Sequence, residues 1–68
     1  MIKEKRLQKN YTQEKMSQLL GISLRQYARI DNEEDLPRRD VLKKLIIQLD
    51  LTNEEIGLYI RNITDKVS

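Results

Sequence analysis

The side chains that make and break bonds are scarce in this sequence. Its 68 residues include no cysteine and no histidine. That removes the thiolate nucleophile, the commonest general base and the commonest zinc ligand. Ser17 and Ser23 have no base in the chain to activate them, so a nucleophilic role has almost no support. Glu33, Glu34 and Asp35 stand together without the Asp-x-Asp-x-Asp-Gly spacing of a calcium loop, and they read as an exposed acidic loop. No enzyme, cofactor or metal is expected. What the chain does carry is hydrogen-bonding capacity on long arms: Gln13, Arg25, Gln26 and Arg29 all fall within residues 12–31. Taken singly, such residues are ordinary solvated surface. Their meaning depends on the elements that hold them.

Those elements are helical. Strand-type alternation is absent, and the repeating signal is helical spacing interrupted by caps. Residues 2–9 read as a short first helix, with Ile2 and Leu7 as apolar points and Arg6 near the same side. Asn10 and Tyr11 break it. Thr12 is an N-cap, because its hydroxyl can accept from an orphan amide of the next turn. Residues 13–20 form the second helix, with Met16, Leu19 and Leu20 inward at i, i+3, i+4. Gly21 sits where a C′ residue belongs, since glycine enters the left-handed region cheaply. Ile22 is a buried turn residue and Ser23 the next N-cap. The third helix runs from about 24 to 30 or 31, with Tyr27 and Ile30 inward. Leu24, Arg25, Gln26 and Arg29 are left outward. Residues 32–37 are a loop. A fourth helix starts near Arg38 or Arg39 and reaches about Leu49, with Val41 or Leu42, Leu45, Ile46 and Leu49 inward. After a connection at Asp50-Leu51, Thr52 and Glu55 have capping-box spacing. They open a fifth helix with Ile56, Tyr59, Ile60 and Ile63 at i, i+3, i+4, i+7. A tail over 64–68 is expected to fray, leaving one domain over 1–63.

Residues 12–31 are thus a helix of eight residues, a three-residue turn and a second helix that begins with long polar side chains. This is a helix-turn-helix pattern. In that motif the first helix crosses the phosphate backbone, and the second sets its outward N-terminal residues at base edges in the major groove. Residues 3–51 resemble the DNA-binding domain of phage repressor and Cro proteins, the XRE type. The positions that carry the resemblance are Arg6, Thr12-Gln13-Glu14, Met16, Leu20-Gly21-Ile22-Ser23, Tyr27, Ile30-Asp31-Asn32, Pro37, Leu42, Leu45 and Leu49.

The resemblance implies an all-α, compact five-helix, lambda-repressor-like domain with its helix-turn-helix at the second and third helices. It also implies residue roles. Leu24, Arg25, Gln26 and Arg29 take the family's base-reading positions. Arg25 offers a two-pronged donor to guanine O6/N7, Gln26 a pair with adenine N6/N7, and Leu24 an apolar contact for a thymine methyl. Gln13 takes the place of a phosphate-contacting glutamine that also braces the start of the recognition helix. Asn32, Arg38 and Arg39 are further phosphate contacts. Arg6 and Asp31 take the places of a partly buried ion pair that holds the recognition helix against the first helix.

The chain departs from the family at the residue after Asn32, where glycine is usual and Glu33 stands. With Glu34 and Asp35, this puts three negative charges near the expected path of the phosphates, repelling DNA unless they point away. Asp31 replaces the commoner glutamate. Thirteen Lys and Arg against eleven Asp and Glu give a net charge of only +2. The balance is +3 over residues 1–39 and −1 over residues 40–68. No apolar run approaches the roughly 18 residues of a membrane span, and the N-terminus has no signal-peptide core, so a cytoplasmic protein is expected; the resemblance implies that the cell is a bacterial host.

The leading functional expectation is a sequence-specific regulator of transcription that binds double-stranded DNA. It would be a repressor or Cro-like protein acting as a homodimer on a palindromic operator. The alternative is an antirepressor, antitoxin or modulator of the same fold that binds a partner repressor protein. Part of the face made by Ile56, Tyr59, Ile60 and Ile63, with Leu58, is expected to meet a dimer mate or partner, closure of the monomer's own core being the competing reading.

Overall fold

Caps set the limits of the helices. In the computed structural model, which describes residues 1–67, five helices follow in order: α1 (Ile2–Gln8), α2 (Gln13–Leu20), α3 (Leu24–Asp31), α4 (Arg39–Leu49) and α5 (Asn53–Val67). The Thr12 hydroxyl accepts from the Lys15 amide at 3.0 Å and starts α2. Ser23 and Gln26 form a full capping box at the start of α3: the Gln26 amide donates to Ser23 Oγ at 3.1 Å and the Ser23 amide to Gln26 Oε1 at 3.0 Å. Thr52 and Glu55 do the same for α5 at 2.9 and 3.1 Å. Gly21 ends α2 at φ 68°, ψ 35°, the left-handed conformation that costs an L-residue about 1–2 kcal/mol.

The apolar stripes meet in one core. Ile2, Met16, Leu20, Tyr27, Ile30, Val41, Leu45, Leu49, Leu51, Tyr59 and Ile63 are buried. Helix α2 packs against α3 and α4, and α1 packs against α3. Val41, not Leu42, is the fully buried residue at the start of α4. Leu51, in the connection, is buried too.

The structure corrects several expectations. Leu7 is exposed, while Arg6 is buried. In a helix of seven residues the face opposite solvent is narrow; Ile2 and Arg6, one turn apart, share it, and Leu7 lies off the stripe. Leu19 and Ile22 are half-buried at the edge of the core. Helix α5 does not stop at Ile63 but continues to Val67; Ser68 lies outside the described residues. Lys66 ties this last turn to the loop after α3, its Nζ donating to the Glu33 carbonyl at 3.3 Å. Tyr59 and Ile63 belong to the core and are not a partner face. Both pack in one cluster with buried residues of the other four helices. Ile56 and Ile60 are half-buried, and Leu58 remains exposed.

Candidate nucleic-acid interface

Helix α3 divides its eight residues by direction. Tyr27, Ile30 and Asp31 are at most 4% exposed, and Leu24, Arg25, Gln26 and Arg29 are exposed. The exposed four lie within the first two turns, where a recognition helix meets base edges. Their side chains are not equally free. Gln26 Oε1 is held by the Ser23 amide, so the cap and the outward carboxamide are one group, with Nε2 left to donate. Arg29 Nη2 lies 2.7 Å from Asp35 Oδ2, and its Nε lies 3.9 Å from Glu34 Oε2. Among the described residues no carboxylate pairs with Arg25.

Asp31 anchors the buried side of α3. Arg6 Nε donates to Asp31 Oδ1 at 3.0 Å and Nη2 to Oδ2 at 3.2 Å, while Nη1 donates to the Tyr11 carbonyl at 2.8 Å. The Tyr27 hydroxyl donates to Asp31 Oδ1 at 3.0 Å, and Gln13 Nε2 to Oδ2 at 3.1 Å. One carboxylate thereby gathers α1, α2 and α3. Burial alone would push its carboxyl pKa up; the donors Arg6, Gln13 and Tyr27 outweigh that and hold it below the usual aspartate value. Burial, followed by the Asp31 charge, pushes the Tyr27 hydroxyl well above its ordinary value, so it stays a neutral donor.

Gln13 therefore braces the end of α3, not its start. The reason is geometric. Gln13 stands at the end of α2 farthest from the turn, and an eight-residue helix is about 12 Å long. Its Nε2 meets Asp31 in the last turn of α3.

The proposed phosphate contacts are spread along the chain that follows. Asn32 caps α3, Arg38 caps α4 and Arg39 is its first residue; all three are exposed. Arg38 Nε lies 4.0 Å from Asp40 Oδ1, at the limit of an ion pair. The acidic run does not act as a unit. Glu33 adopts φ 55° and turns inward, its Oε2 accepting from the Met1 ammonium at 2.8 Å. That ion pair accompanies a left-handed backbone at the position where glycine is usual in the resembling family. Glu34 and Asp35 instead lie along the outer side of α3 with Arg29. Between them and α4 runs a cleft of about 460 Å³, with Ile22, Ile30, Pro37 and Val41 among its apolar lining.

These relations differ in how far residue types announce them. Reading Ser23 as an N-cap misses the Gln26 half of its box, although the three-residue spacing signals it. The Tyr27 hydroxyl on Asp31 is an i,i+4 pair within α3, a spacing that makes them neighbours, whereas Gln13 on Asp31 and the Met1 ammonium on Glu33 join residues through the tertiary fold and no local pattern announces them. Among the described residues, no cluster of acidic side chains fits a metal ion, and no helix is long and apolar enough to cross a membrane.

A family model described as helix-turn-helix matches residues 2–56, from the start of α1 into α5. No curated protein and no solved structure is significantly similar to the chain. The match covers most of the molecule and includes the turn, the outward face of α3 and the Arg6–Asp31 anchor behind it. The chain belongs to the XRE/Cro-like helix-turn-helix family, and it is a DNA-binding regulator of transcription.

Proposed function

We propose that the protein is a sequence-specific repressor or Cro-like regulator that acts as a homodimer on a palindromic operator in the cytoplasm of a bacterial host. The observation that carries this reading is the division of α3, with Leu24, Arg25, Gln26 and Arg29 outward and Tyr27, Ile30 and Asp31 buried. A buried anchor fixes the helix so that its outward side chains keep one register against a groove. Arg25 reads guanine, Gln26 reads adenine by donating from Nε2 to N7 and accepting from the N6 amine on the second lone pair of Oε1, and Leu24 packs on a thymine methyl. Gln13, Asn32, Arg38 and Arg39 set the register on phosphates.

Size supports the dimer. The longest dimension of the chain is 30 Å, and half-sites one turn of DNA apart are separated by about 34–36 Å. One copy therefore covers one half-site. Tyr59 and Ile63 are buried in the monomer's core, so the part of α5 offered to a dimer mate is the half-buried Ile56 and Ile60 with the exposed Leu58. A second reading, a modulator that binds a partner repressor protein, is favoured by one observation: Glu34 and Asp35 stand beside the outward face of α3.

Fluorescence anisotropy with a random-sequence duplex, measured against salt, separates the two. With Arg38 and Arg39 neutralising phosphates in each of two copies, log affinity should fall with log salt at a slope of about −3.6. Absence of binding to any duplex at low salt would remove the DNA-reading proposal and leave the modulator.

A further inference from the structure

Arg25 and Arg29 share the outward face of α3 but not its chemistry. Arg25 has no carboxylate partner among the described residues, and Arg29 has two. The contact at Arg29 falls on a particular nitrogen. A guanidinium offers two forks to a planar acceptor, Nε with Nη2 and Nη1 with Nη2. Both forks contain Nη2, and Nη2 is the atom that Asp35 holds at 2.7 Å. Glu34 stands 3.9 Å from Nε, at the other end of the first fork. Nη2 carries two hydrogens, so a two-pronged contact with guanine or phosphate either displaces Asp35 from the Nε side or takes the Nη1 side and shares Nη2 with Asp35, whose charge then stands beside the acceptor. The three side chains together carry one net negative charge, so a DNA site that fails to recruit Arg29 faces uncompensated repulsion.

We propose that Asp35, backed by Glu34, is a specificity-setting residue of the DNA interface: it competes internally for Arg29 and releases it only to a site that offers a better acceptor. The inference rests on the DNA-reading function proposed above. The pair is suited to exchange. Arg29 and Asp35 side chains are each more than half exposed, and exposed pairs of this kind are weak and screened by salt. Such a contact is too weak to lock the arginine, yet it weighs against every DNA site equally, while only sites with a strong acceptor at this position recover it. That is discrimination by a repulsive element, and it needs no contact between Asp35 and a base.

The test uses four forms of the full chain: the wild type, Glu34→Gln with Asp35→Asn, Arg29→Ala, and all three changes together. Each is titrated with one random-sequence duplex at low salt, after circular dichroism shows that it is folded. Removing the two carboxylates should tighten binding in the presence of Arg29, and the gain should be roughly two- to fivefold larger than in the Arg29→Ala background, the worth of one exposed ion pair. Equal gains in both backgrounds would show bulk repulsion alone and overturn the proposal. Weaker binding on removing the carboxylates would also overturn it, since the acids would then be holding Arg29 in position for DNA. If none of the four forms binds the duplex, the DNA-reading function itself fails and this inference falls with it, an outcome distinct from the other two.

Discussion

Helix α3 carries two arginine–aspartate pairs of almost equal length, and they do opposite things. Arg6 meets Asp31 at 3.0 Å and Arg29 meets Asp35 at 2.7 Å. Side-chain exposure is 8% and 1% in the first pair and 55% and 53% in the second. Asp31 and Arg29 are only two residues apart, so the helix itself turns one pair inward and the other outward. Distance therefore says little about the energy of either. Removing one partner of the inner pair strands a charge that water cannot reach, whereas each partner of the outer pair is already largely hydrated. The inner pair holds the reading helix in place, and the outer pair can be traded for DNA.

The largest effect should come from the inner pair. Arg6→Ala or Asp31→Ala should each cost about 3–5 kcal/mol, measured by urea denaturation. Because a domain of this size keeps only a few kcal/mol in reserve, either variant should be mostly unfolded at room temperature. The double variant should lose less than the sum of the two, because the stranded charge is gone. Additive losses would show that the pair is not a unit.

Acid probes the same carboxylate without mutation. The Asp31 pKa is depressed in the folded chain, so its contribution is complete above the unfolded value of about 4 and is lost as pH falls through the lower folded value. The urea midpoint should therefore decline below about pH 4. In Asp31→Asn the decline should be shallower. Surface carboxylates such as Glu4, Asp50 and Glu55, also depressed, would leave a residual slope.

These effects also mark what was legible in the sequence. Helix starts were, because Thr12, Ser23 and Thr52 act on amides two or three residues away. The turn was, because Gly21 alone suits its φ at low cost. The long apolar stripe of α5 was visible, but a stripe does not say what covers it; Tyr59 and Ile63 went to the monomer's own core. Leu7 misled because a seven-residue helix presents too narrow a face for spacing to decide between it and Arg6. At the interface, the outward set on α3 followed from periodicity. The partner of each arm did not: Gln13 on Asp31 and Asp35 on Arg29 are set by how the helices and the loop return on one another.

Intermediate effects sharpen the comparison within α3. Ser23→Ala should cost about 1 kcal/mol by loss of the cap, read from the thermal midpoint. The Ser23 backbone amide still holds Gln26 Oε1 in this variant, so the outward carboxamide keeps its place and the effect on DNA should not exceed the effect on stability. Gln26→Glu should keep the capping box and leave stability nearly unchanged, while the acceptor carboxylate turns preference from adenine toward cytosine.

The smallest effect on stability should come from the outer pair. Arg29→Ala should lie within about 0.5 kcal/mol of the wild type, by the same denaturation assay. A loss as large as that of Arg6→Ala would erase the distinction between the two pairs.

The claim on which the rest depends is that the outward face of α3 reads sequence. Selection from a random duplex pool, run in parallel with the wild type and Arg25→Ala, tests it most directly. The wild type should enrich a palindrome with half-sites one turn apart, and Arg25→Ala should lose preference at a guanine in each half-site while still binding duplex DNA. Failure of the wild type to enrich any motif, or an unchanged motif with Arg25→Ala, would contradict it.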